Sequence, residues 1–116
     1  MDETLSVRQE TRGSCRVIKL TGALAAKNIL EIRALFDEIL KSDHRKIALD
    51  LSAVNYLDSM GVGILINFNK RVAKNHGRMA VINPSQVVSE IFDVADTDKY
   101  LTVRNVDSAN IDSVFD

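Results

Sequence analysis

The sequence has little of what staples a secreted scaffold, grips nucleic acid or crosses a membrane. It holds one cysteine, Cys15, with no partner for an internal disulfide and no Cys/His cluster around it. A disulfide framework and a zinc site are therefore not expected. No apolar run approaches the roughly 18 residues of a membrane span. The start, Met1-Asp2-Glu3-Thr4, is acidic and leads into no apolar stretch, unlike a signal peptide. Charge of one sign is not in surplus either: 15 Lys and Arg face 16 Asp and Glu, a formal net charge of -1. Nothing is left over to neutralise a phosphate backbone. The expectation is a reducing, cytoplasmic context without direct nucleic-acid or membrane contact.

What is present suits a globular domain. The chain has 116 residues, 46% hydrophobic and 27% charged, enough for one domain with a real core and cramped for two. No repeat, linker or low-complexity segment interrupts it.

Strand and helix patterns alternate. Leu5 to Glu10 alternates apolar and polar residues, and Arg12-Gly13-Ser14 is a turn. Cys15 to Leu20 is β-rich and is expected to stop at Thr21-Gly22. Ile29, Ile32, Phe36 and Ile39 recur at helical spacing and predict a helix from about Lys27 to Lys41. Lys46 to Leu51 is a short apolar run, as in a strand covered on both faces. A loop is expected from Ser52 to Asp58, then a helix from Met60 to Asn75, stopped by a left-handed Gly77. Arg78 to Ile82 predicts another buried strand, Pro84 the opening of a third helix, and Tyr100 to Val103 a last strand. Ser108 to Phe115 is expected to begin a terminal helix. This order, β-β-α-β-α-β-α-β, implies a mixed, largely parallel sheet flanked by helices, in the α/β class.

The chemistry-bearing segment is Asp58-Ser59-Met60-Gly61-Val62-Gly63. It lies at a strand's carboxyl end, where open α/β sheets bind ligands, and it opens a helix. Unpaired N–H groups and the positive end of the helix dipole favour a phosphate there. Asp58 or Ser59 could equally serve as the helix N-cap, worth about 1 kcal/mol. Gly61 and Gly63 each cost about 1 kcal/mol in a helix, so close approach of another backbone is expected to favour them. The Gly-x-Gly is too short for a dinucleotide fingerprint and is no Walker A loop, so no cofactor is expected. Val62 suits either core packing or contact with a partner.

Other residues carry less. His44 and His76 each sit near a helix end, where positive charge is favourable. No Gly-x-Ser-x-Gly elbow supports a hydrolase. Cys15 fits a small buried hydrophobe. Asp93, Asp96 and Asp98 lack the glycine and terminal glutamate of a calcium loop. Ser85 and Thr97 suit a turn or cap, or a secondary phosphorylation site.

The run Ile47-Ala48-Leu49-Asp50-Leu51, leading to Asp58-Ser59-Met60-Gly61-Val62-Gly63, resembles the signature of the STAS family, in particular the bacterial anti-sigma factor antagonists. Thr21-Gly22-Ala23-Leu24, His76-Gly77, Pro84 and Phe92-Asp93-Val94-Ala95 also fall where that family places such features. The resemblance covers roughly Leu5 to Val103 and implies a single STAS domain spanning residues 1–116. It implies that Ser59 is the phosphorylated residue and that the loop around it contacts an anti-sigma factor that is also a serine kinase. Docking of the unphosphorylated form would release a sigma factor; phosphorylation would end it, and a serine phosphatase would reset it. The protein would be a substrate, not an enzyme. Two positions depart from the family pattern: Ala25 stands where an acidic residue is frequent, and Met60 where a second hydroxyl is frequent. The resemblance also admits a STAS scaffold, or a subunit of a transport complex, with no sigma factor in view. Nucleotide binding by the loop itself and a small α/β enzyme are weaker readings. Oligomeric state is left open.

Overall fold

The computed structural model describes residues 4–115. The reading of residues 1–3 as unlike a signal peptide lies outside them. Five strands form one sheet in the order β1-β2-β3-β4-β5: Ser6–Arg12, Cys15–Leu24, Lys46–Leu57, Arg78–Ile82 and Val103–Arg104. β1 and β2 are antiparallel across the tight turn at Gly13, and every later neighbour is parallel. The expected mixed, largely parallel α/β fold is present.

Each parallel step needs a crossover, supplied by α1 (Ile29–Leu40), α2 (Ser59–Lys74) and α3 (Gln86–Ala95). The strand order advances in one direction only. Crossovers of a single hand then put all three helices on one face of the sheet. The core follows: Ile32 and Phe36 of α1, Leu65 and Phe68 of α2, and Val88 and Phe92 of α3 share a cluster with Ile18, Leu20, Ile47, Leu49 and Val81. Phe36 and Phe68 stack with ring centroids 4.0 Å apart. Alternate strand residues point the other way. Cys15, Val17, Ala48, Ala80 and Ile82 form a second, shallower cluster under Ile111 and Phe115. Those two come from Ser108–Phe115, which is a pair of 3-10 turns kinked at Asn110 and not the expected α-helix. Burial, then the nearby Asp112 carboxylate, pushes the Cys15 thiol up to about 11, so it packs as a hydrophobe. Among the described residues, no helix is long and apolar enough to cross a membrane.

Several boundaries differ from expectation, each for a local reason. β2 does not stop at Gly22 but runs to Leu24. Gly22 sits at φ 110, and a Cβ there would lie 2.1 Å from the Thr4 carbonyl oxygen. The register shifts beside it, so the glycine is a bulge and not a strand end. The loop expected at Ser52 to Asp58 is strand up to Leu57; its polar residues Ser52 and Asn55 face solvent while Val54 and Leu57 are buried. At the end of α2 the left-handed residue is His76, φ 64, not Gly77. Gly77 is required for another reason: a Cβ there would sit 2.7 Å from the Arg45 carbonyl oxygen. Pro84 precedes α3 without opening it. Ser85 is the N-cap, and its Oγ accepts the Val88 N–H at 3.3 Å. The last strand is shifted to Val103–Arg104 and away from Tyr100.

Candidate functional site

Because β3 runs to Leu57 and α2 begins at Ser59, a single residue joins them. That residue, Asp58, is extended (φ -110, ψ -176) and is the N-cap of α2. Its Oδ1 accepts the Gly61 N–H at 2.9 Å and its Oδ2 accepts the Ala26 N–H at 3.0 Å. Its own N–H donates to the Leu24 carbonyl at 3.3 Å. One carboxylate thus caps the helix and ties down the chain leaving β2. Burial raises the Asp58 pKa, but the N–H groups of Ala26, Gly61 and Met60 outweigh it and hold the carboxyl below its ordinary value.

This sign has a consequence. A carboxyl with a depressed folded pKa contributes stability that is present above the unfolded value of about 3.9 and lost as pH falls through the folded value. Asp58→Asn keeps an acceptor for Gly61 but turns an N–H₂ toward the Ala26 N–H. It should cost about 1 kcal/mol near neutral pH and flatten the acid limb of a stability–pH curve. Chemical denaturation from pH 3 to 7 would show both; an unchanged acid limb would remove Asp58 from this role.

With the cap assigned to Asp58, Ser59 is left over. It is the first residue of α2, it is exposed, and its hydroxyl has no hydrogen-bond partner among the described residues. Asp58, expected from the sequence to help orient this hydroxyl, makes no hydrogen bond to it; its two oxygens accept from the Gly61 and Ala26 backbone instead. The other two candidate hydroxyls contrast sharply. Ser85 Oγ donates to the Val54 carbonyl at 2.6 Å while it caps α3. Thr97 is buried and donates to the Phe92 carbonyl at 3.3 Å. Both are consumed by the fold.

The remaining residues divide by depth. Met60 is exposed beside Ser59, and Val62 is buried in the core. Gly61 is buried, and a Cβ on it would lie 2.1 Å from the Leu24 carbonyl oxygen. The close approach expected of Gly61 is therefore made within the molecule, to the end of β2. A Cβ on Gly63 would meet nothing within 4 Å. Ala25 is buried and presents no side chain to the surface. Sequence reasoning missed the groove flanked by α1 and α2, about 520 Å³, which Met60 and Gly63 line together with Arg33 and Asn67. The helical spacing of Arg33 and Asp37 was legible, but not that α2 would lie alongside.

An exposed serine at a helix start, on the carboxyl edge of a mixed sheet with its helices on one face, defines a class of small α/β domain. Residues 6–109 match the STAS domain, and the chain belongs to that family. Relatives of the chain include proteins described as anti-sigma factor antagonists. A Thermotoga neapolitana homolog described in those terms is 29% identical over 80 residues, 69% of this chain and 71% of its own. The crystal structure of an anti-sigma factor antagonist from Mycobacterium paratuberculosis superposes with a TM-score of 0.86, at 17% identity over 100% of this chain and 98% of the other. The Bacillus cell fate determinant SpoIIAA, in its phosphorylated form, superposes with a TM-score of 0.70, at 21% identity over 94% and 99%.

Proposed function

We propose that this protein is an anti-sigma factor antagonist switched by phosphorylation of Ser59. The unphosphorylated chain docks, through the exposed residues Ser59, Met60 and Gly63 of the segment Asp58 to Gly63, on an anti-sigma factor that is also a serine kinase, and a sigma factor is released; Gly61 and Val62, which are buried, support that segment from beneath. The kinase phosphorylates Ser59, the complex is lost, and a serine phosphatase resets the system in the cytoplasm. The protein is the substrate throughout and catalyses nothing.

One observation carries the reading: the Ser59 hydroxyl is exposed and has no task in the fold, because Asp58 performs the capping. A kinase can take this serine without unfolding anything. Phosphate adds roughly -1.5 to -2 charges and three acceptor oxygens. At the first turn of α2 that charge meets the positive end of the helix dipole, so the domain tolerates it. A partner surface shaped for a neutral hydroxyl does not, and the penalty falls on the interface. That relatives are antagonists of anti-sigma factors, and that one similar structure is a phosphorylated form, supports the same reading.

Intact mass and peptide mapping after incubation with ATP and each anti-sigma serine kinase of the same genome test it. A single phosphate on Ser59, absent from Ser59→Ala, is expected. Stable complex formation without any phosphate would instead favour a STAS scaffold or a transport-complex subunit.

A further inference from the structure

Gly63 has no explanation inside the fold. Gly61 must be glycine because the end of β2 lies against it, but a Cβ on Gly63 would meet nothing within 4 Å. A glycine inside a helix is unfavourable relative to alanine, and here no internal contact offsets that. The position opens into the groove flanked by α1 and α2, whose floor includes Phe36 and Phe68 and whose near end is Met60, next to Ser59. Met60 is 45% exposed, an apolar side chain left in water that lines the groove and follows Ser59 in the chain.

The rim is charged unevenly. Arg71 and Asp37 pair across it at 2.7 Å and offset one another. Arg33 has no ion pair among the described residues, so the groove keeps a net positive charge.

We infer that the partner's footprint is not confined to the segment Asp58 to Gly63 but continues past it along this groove to Arg33 and Asn67, with Gly63 as the notch where the partner's chain comes closest. The inference rests on the function proposed above and names the same occupant, the anti-sigma serine kinase. The segment it seats there is amphipathic, with an apolar side chain over Gly63 and Met60 and a carboxylate facing Arg33. Three features favour that chemistry: the bare helix backbone at Gly63, the exposed Met60 continuous with the Ser59 face, and the unpaired guanidinium. A phosphate on Ser59 would stand one residue from Met60, which lines the groove, and so beside the same contact.

The test compares wild type, Gly63→Ala, Arg33→Ser and Ser59→Asp for melting temperature and for affinity to purified anti-sigma serine kinases of the same genome, each loaded with ADP. Gly63→Ala should raise the melting temperature by roughly 4 °C, because it gains helix propensity and meets no clash. The same variant should bind at least about tenfold more weakly, since the notch is filled. Arg33→Ser should weaken binding by about fivefold and lessen its salt dependence. A more stable Gly63→Ala that binds within about twofold of wild type, while Ser59→Asp fails to bind, would confine the footprint to the helix tip and overturn the groove alone. Failure of wild type to bind any of these kinases would overturn both the groove and the function on which it rests.

Discussion

Gly61→Ala should be among the most damaging single-methyl additions in this protein, costing about 3 kcal/mol. The added Cβ would lie 2.1 Å from the Leu24 carbonyl oxygen and 2.7 Å from Leu57 Cδ1. Neither neighbour can yield cheaply. The Leu24 carbonyl is backbone at the end of β2 and already accepts the Asp58 N–H. Leu57 is buried in the core. Relief therefore requires α2 to lift from β2, and the Asp58 bonds to Ala26 and Gly61 would open with it. A urea titration should show the midpoint falling with the slope unchanged, the sign of lost stability in the native state. The neighbouring Gly63→Ala should move the other way. If the two substitutions shift the midpoint in the same direction, the packing of the α2 start is wrong.

Ser59→Asp should keep the fold and lose the partner. An acid at the first helical residue is worth a few tenths of a kcal/mol in favour of the helix, so the melting temperature should hold or rise slightly. Binding to the anti-sigma kinase should fall by about a hundredfold or more, because like-charge contact at an interface costs several kcal/mol. Ser59→Ala should bind within about threefold of wild type, since the hydroxyl makes no bond that the fold depends on. Titration calorimetry on the three proteins separates the cases. Tight binding by Ser59→Asp would sink the switch while leaving the STAS fold untouched.

Much of this arrangement is legible in the sequence, and its failures have physical causes. Buried strands such as Lys46 to Leu51 and Arg78 to Ile82 announce themselves because both faces are covered, giving continuous apolar runs. The α1 and α2 stripes do so because only one face of each helix is buried. Ser52 and Asn55 misled because polar residues at the exposed end of a strand look like a loop until the neighbouring strand is in view. Gly22 misled because a bulge and a strand end use the same residue. The phosphate-favouring helix start was readable from Asp58-Ser59, but which of the two caps it was not: that depends on Ala26, thirty-two positions from Asp58, donating to the second carboxylate oxygen. The opposite situations of Gly61 and Gly63 were equally hidden, since only the path of β2 tells them apart.

The parallel sheet also gives the molecule two ends of different use. Ser59 lies at the carboxyl edge of the strands. Phe115 lies near the opposite edge: the Arg78 guanidinium, at the start of β4, sits over the Phe115 ring and donates to its carbonyl. A tether or dye attached at the exposed Ser113, two residues before Phe115, would therefore stand on the far side of the domain from the serine. Immobilised through that position on a sensor surface, the protein should present its switch outward, and an optical label there should report binding without obstructing it.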